Sequence, residues 1–124
     1  MKFLEVGIRV KNLGESISFY TDVLGMKVAD RKMIGETKGE VVKLVSQDGG
    51  FPLELNYYQD GSPYATDYTL GEGLDHLAFI VEDIEEVIAK AKTHGSREVL
   101  QVRTKESRWA YIEDPNGLWV ELNE

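Results

Sequence analysis

A chain of 124 residues is the size of one compact domain, or of two very small modules sharing a core. Its formal net charge of −8, with Lys and Arg scattered along the chain, excludes nucleic acid as the main partner, because phosphate binding needs clustered basic residues. The absence of cysteine excludes disulfide scaffolds, thiolate metal sites and Cys nucleophiles.

Residues 3–10 (FLEVGIRV) alternate apolar and polar positions and predict a strand. Asn12 is placed to cap a helix in which Leu13, Ile17, Tyr20 and Leu24 recur at helical spacing and Gly25 ends the run. Residues 26–33 and 40–46 are strand-like, and Asp48-Gly49-Gly50 predicts a turn. Residues 51–58 (FPLELNYY) follow as a fourth strand, with Pro52 near its start where a missing N–H is tolerated. The first half thus runs strand–helix–strand–strand–strand. Residues 59–73 are rich in Gly, Ser, Thr, Asp and Tyr without a period, as a linker or mobile loop would be.

The pattern then begins again. Residues 74–81 predict a strand, and Asp83 caps a helix carrying Ile84, Val87, Ile88 and Ala91 on one face. Lys90, Lys92 and His94 lie near its C-terminus, where positive charge suits the helix dipole, and Gly95 ends it. Residues 98–104, 108–112 and 118–122 predict strands, with Asp114-Pro115-Asn116-Gly117 as a turn.

Two halves with one order of elements imply an internal repeat. Aligning EVGIRVKNL with HLAFIVEDI superposes Glu5 on His76 and Asn12 on Asp83. Leu53-Glu54-Leu55-Asn56 matches Val120-Glu121-Leu122-Asn123. The resulting fold class is α+β: two βαβββ modules at residues 1–58 and 74–124, joined by linker 59–73 into one domain. No apolar stretch is long enough to cross a bilayer, and charges fall where a signal peptide needs its apolar core, so the expected location is cytoplasmic.

Each half places one metal-ligand type in its first strand and another in its last. Strand side chains alternate faces, so Glu54 lies opposite Leu53 and Leu55, and Glu121 opposite Val120 and Leu122. If both sheets curl toward a common cavity, Glu5, Glu54, His76 and Glu121 offer three carboxylates and one imidazole to a divalent ion such as Zn²⁺, Ni²⁺, Co²⁺ or Mn²⁺. The competing reading is that each Glu sits on a solvated face and His76 is a hydrogen-bonded core residue.

The segment MKFLEVGIRVKNLGESISFYTDVLGMKV resembles the opening of glyoxalase I (lactoylglutathione lyase) and its vicinal-oxygen-chelate relatives, through the pattern V-x-N/D-L-x-x-S-x-x-F-Y-x-x-x-L-G. FPLELNYY resembles their central Glu strand, GEGLDHLAFIVEDI their second-module His strand, and YIEDPNGLWVEL their closing strand. The resemblance implies paired modules forming a curved mixed sheet around a shared metal cavity. It also implies a homodimer, with sites at or near the subunit interface.

It carries the metal-ligand roles to Glu5, Glu54, His76 and Glu121. Relatives more often have His or Gln where Glu5 stands, and a third carboxylate leaves the shell at about −1 by simple counting, raising the pKa of a bound water. Alternatively, Glu5 stays off the metal as a second base with a raised pKa. The implied chemistry is proton transfer next to a carbonyl. A 2-oxoaldehyde–thiol hemithioacetal becomes a 2-hydroxyacyl thioester through an enediolate, with Glu121 as base and Glu5 acting on the opposite face.

For substrate, Arg9 matches a position that contacts the glutathione carboxylate. Tyr58 stands where Asn is usual, and Glu72 takes the place of an Arg, a repulsion of about 1 kcal/mol in a solvated site. This leaves room for another thiol adduct or a different α-oxygenated substrate. Tyr57, Tyr58, Tyr64, Tyr68 and Trp109 can line an apolar pocket, or pack the core or an interface. Two alternatives remain: another metal-dependent isomerase or epimerase of the superfamily, for example on an acyl-CoA, and a metal-free sequestering protein of the antibiotic-resistance type. Ring-cleaving dioxygenases are disfavoured, since their iron site needs two His and one carboxylate.

Overall fold

The computed structural model describes residues 4–65, 67, 69, 74, 76–103, 105 and 107–124. They fall into two compact units, Met1–Tyr68 and Thr69–Glu124.

In the first unit, β1 (Val6–Arg9) leads through Asn12 into α1 (Leu13–Ser18), which continues as a π-helical turn, Phe19–Val23. Asn12 caps it as expected, its Oδ1 accepting from the Glu15 N–H at 3.0 Å. The wider π turn changes how the helix closes. Gly25, at φ +67°, donates to the Thr21 carbonyl, and Met26 to that of Tyr20. Each of these bonds spans one residue more than in a Schellman closure. The strands β2 (Lys27–Ile34), β3 (Gly39–Ser46) and β4 (Gly49–Tyr58) follow. The sheet order is β1-β4-β3-β2, with β1 parallel to β4 and the other pairs antiparallel. Gly49 and Gly50 belong to β4 rather than to the turn, which consists of Gln47 and Asp48. Their φ values of +90° and +105° suit glycine and accompany a register shift between Leu44 and Ser46.

The second unit repeats this order: β5 (His76–Ile80), α2 (Ile84–Thr93), β6 (Glu98–Arg103), β7 (Arg108–Glu113) and β8 (Trp119–Asn123). Its sheet order, β5-β8-β7-β6, is the counterpart of the first. Asp83 caps α2 by accepting from the Glu86 N–H at 3.0 Å. Here the helix ends on a regular Schellman motif, with Gly95 donating to Lys92 and Ser96 to Ala91.

Each helix covers one face of its own sheet, and the cores lie between. Phe19, Tyr20, Val42, Leu44 and Leu55 are fully buried in the first unit, as are Ile84, Ile112, Val120 and Leu122 in the second. Burying each such side chain contributes about 1.5–3 kcal/mol. Because alternate residues must face away, this core sends Lys43, Glu54, Tyr111 and Glu121 to the face opposite the helix.

Residues 59–65 of the expected linker are fastened to the first unit. The Gln59 N–H donates to the Lys38 carbonyl at 3.0 Å, and the Ser62 hydroxyl to the Thr37 carbonyl at 2.5 Å. Tyr68 and Glu72 lie outside the described residues. Among the described residues, no helix is long and apolar enough to cross a membrane.

The Asp114 turn fixes how β7 meets β8. Asp114 is buried, and its Oδ1 accepts from the Asn116 and Leu118 N–H groups at 2.8 Å each, while Oδ2 accepts from Asn116 Nδ2 at 2.9 Å. Asp114→Ala orphans two backbone donors, and the expected loss is about 2–4 kcal/mol. Urea unfolding measures it; a loss below about 0.5 kcal/mol would show the turn to be self-sufficient.

Candidate metal centre and substrate site

Within the first unit, parallel pairing aligns Gly7 with Glu54 and Arg9 with Asn56, and antiparallel pairing sets Lys43 across from Glu54. Glu5 precedes β1 and joins the same face. The Lys43 ammonium donates to Glu5 Oε2 at 2.6 Å and lies 3.5 Å from Glu54 Oε2. Its hydrogen bond to Glu5 is the main cause of a Lys43 pKa raised above 10.5; partial desolvation opposes the rise, and the charges of Glu5 and Glu54 add to it. Lys43 therefore stays charged at neutral pH. Whatever the pair contributes to stability is fully present below the ordinary lysine pKa and is lost as pH rises through the raised value.

Arg9 and Tyr58 come together at a pocket of about 220 Å³, lined also by Lys11, Tyr57, Asp60 and Ala65. Gly39 makes room for the Tyr58 ring, since a Cβ there would lie 3.1 Å from it, and the Tyr64 ring meets that of Tyr58 in a tilted contact with centroids 5.8 Å apart. Two cationic side chains beside two phenol rings suit an anionic, partly apolar ligand arm.

Within the second unit, Glu121 stands on β8 between the fully buried Val120 and Leu122, so its carboxylate must point to the opposite face. Its Oε2 is 3.1 Å from His76 Nε2 and accepts a hydrogen bond from the Tyr111 hydroxyl at 2.7 Å. Tyr111 lies directly across from Glu121 in the ladder and meets the His76 ring edge-on at 5.6 Å. Trp109 is two residues earlier on β7 and shares this face.

The four candidate ligands thus occur as two pairs, Glu5 with Glu54 and His76 with Glu121. Among the described residues, no group of three or more His, Asp or Glu side chains is gathered in metal-holding geometry. The donor chemistry nonetheless fits a divalent ion. An imidazole nitrogen and carboxylate oxygens are donor types that such an ion takes, and His76 Nε2 and Glu121 Oε2 lie 3.1 Å apart, within ion-pair distance of each other.

A family model described as the Glyoxalase/Bleomycin resistance protein/Dioxygenase superfamily matches residues 2–122. The chain belongs to this superfamily. It is 33% identical to a probable chloroplastic lactoylglutathione lyase of Arabidopsis thaliana, over 99% of this chain and 35% of that protein. The chain spans less than half the length of the plant relatives it matches. It is 32% identical to a lactoylglutathione lyase of Neisseria meningitidis serogroup A, covering 98% of this chain and 89% of that one. Among solved structures, the trypanothione-dependent glyoxalase I of Leishmania major superposes with a TM-score of 0.77 at 32% identity, over 100% of this chain and 86% of the other.

Two polar residues of this superfamily member escape a reading by ligand type alone, Lys43 and Tyr111. Both occupy the position directly across the ladder from a candidate carboxylate. Counting back from the Asp114 turn finds Tyr111 opposite Glu121. Counting from the β3–β4 turn sets Lys43 across from Pro52 instead of Glu54, because of the register shift near Leu44.

Proposed function

We propose that this chain is a metal-dependent lyase/isomerase of the glyoxalase I type, acting on a 2-oxoaldehyde–thiol hemithioacetal as a homodimer. The observation that carries the proposal is the His76–Glu121 pair, an imidazole nitrogen and a carboxylate oxygen 3.1 Å apart on the sheet face opposite the core. Lactoylglutathione lyases among its relatives support the reaction class.

Glu54, His76 and Glu121 would hold the ion; Glu5 completes the donor set only if released from Lys43. A bound divalent ion supplies Lewis acidity toward the two adjacent oxygens of the substrate. Glu121 takes the carbon-bound proton and returns it one carbon along, so the conversion is an isomerisation and needs no external oxidant. Tyr111 orients the Glu121 carboxylate by donating to Oε2. Arg9, with Tyr58 beside it, binds the anionic end of the thiol carrier, and Trp109 lines the substrate side of the second unit.

The carrier itself follows from assay. The Leishmania relative is described as trypanothione-dependent, so a thiol other than glutathione is the second choice to test. The deciding assay is turnover of the methylglyoxal–glutathione hemithioacetal by protein stripped with chelator and then restored with Zn²⁺, Ni²⁺, Co²⁺ or Mn²⁺. Activity that is lost on stripping and regained with metal is expected. A metal-loaded protein inert toward every thiol adduct would instead favour isomerisation or epimerisation of an acyl-CoA.

A further inference from the structure

Lys43 places one fixed positive charge between two carboxylates that the repeat marks as ligands. Its nitrogen is 2.6 Å from Glu5 but 3.5 Å from Glu54. The three side chains are 26%, 22% and 18% exposed, so solvent screens them only in part. Resting on the metal-binding reading above, we propose that Lys43 is a positioning residue of the metal centre. Its ammonium holds Glu5 out of the ligand set and leaves Glu54 as the one carboxylate that the first unit gives to the ion.

The unequal distances carry this. The Glu5 contact has the length of a charge-assisted hydrogen bond, whereas Glu54 is held more loosely. An ion drawn to Glu5 would have to displace an ammonium already bonded there, and two cations on one carboxylate oxygen repel each other strongly. Charge counting agrees. Three carboxylates and a divalent ion leave about −1, and one ammonium restores neutrality. The repeat sharpens the point, since Tyr111, the counterpart across from Glu121, donates a hydrogen bond at 2.7 Å without carrying a charge. Only the first unit has a resident cation at this position.

Isothermal titration with Zn²⁺ and with Ni²⁺ on the full chain tests the assignment through a double-mutant cycle. Lys43→Met keeps the aliphatic stem and frees Glu5 to ligate, so the metal should bind about tenfold tighter or more. Glu5→Gln bares the ammonium beside the ion and should weaken binding. The double variant swaps a neutral ion pair for neutral groups and should return to within about threefold of wild type. A double variant as weak as Glu5→Gln alone would make Glu5 a direct ligand and overturn the inference. So would a folded Lys43→Met protein with unchanged or weaker affinity. If Lys43→Met fails to fold, Lys43→Gln takes its place in the cycle. Wild-type binding with either contrary result leaves the metal reading standing, while no binding in any variant overturns both.

Discussion

Glu121→Gln is expected to lower kcat for the hemithioacetal by about 10²–10⁴-fold, the usual contribution of a positioned general base. The substitution preserves shape, and Val120 and Leu122 on either side remain fully buried, so the strand has no reason to move. The Gln carbonyl can still accept from the Tyr111 hydroxyl, which now bonds Glu121 Oε2 at 2.7 Å. What disappears is the capacity to take a proton, together with one anionic donor of the proposed ligand set. Steady-state kinetics on metal-loaded protein, with metal content measured in the same sample, separates loss of the base from loss of the ion. A metal-loaded variant within about threefold of wild type would move the proton transfer to another carboxylate. Tyr111→Phe should be milder, because the carboxylate remains and only its orientation is loosened.

The second large effect concerns affinity for the ion. His76→Ala removes the sole imidazole of the proposed ligand set, and metal binding should weaken by more than about 100-fold, beyond the usual cost of losing an outer-shell partner. The ring also packs edge-on against Tyr111, a contact contributing about 0.5–1.5 kcal/mol. His76→Gln is therefore the companion variant: it retains bulk and polarity, and it too should bind metal weakly. Glu54→Gln should give a comparable loss from the other unit. Competition against a chromophoric chelator measures all three. Wild-type affinity in both His76→Ala and Glu54→Gln would refute the proposed shell.

Much of the architecture was legible in the residues. Both helix caps, Asn12 and Asp83, were readable because Asn and Asp side chains accept the N–H groups a first turn leaves unpaired. The repeat was readable because matching apolar–Glu–apolar triplets at Glu54 and Glu121 must bury their flanks and expose their centres. The π-helical turn at Phe19–Val23 was not, since spacing of Leu13, Ile17, Tyr20 and Leu24 suits a continuous α-helix equally well. Nor was the bulge that carries Gly49 and Gly50 into β4, because a Gly pair beside Asp48 marks a turn without fixing which residues close it.

The site divides in the same way. The facing of Glu54, Glu121 and Tyr111 follows from strand alternation and an unshifted β7–β8 ladder. The Lys43 pairing depends on a register shift that composition does not announce. Ligand type identified Glu5, but only the tertiary structure brings an ammonium to it. Counting ligand types alone therefore leaves out the Lys43 ammonium, which lies 2.6 Å from Glu5 and 3.5 Å from Glu54.

The most direct measurement is the divalent-metal content of the purified chain by elemental analysis, before and after chelation, with thermal unfolding of both samples. The account predicts about one ion per chain, drawn from Zn, Ni, Co or Mn, and a lower Tm once it is removed, because an ion bound only by the folded state stabilises that state. Protein that takes up no stoichiometric metal and melts at the same temperature in chelator would contradict it.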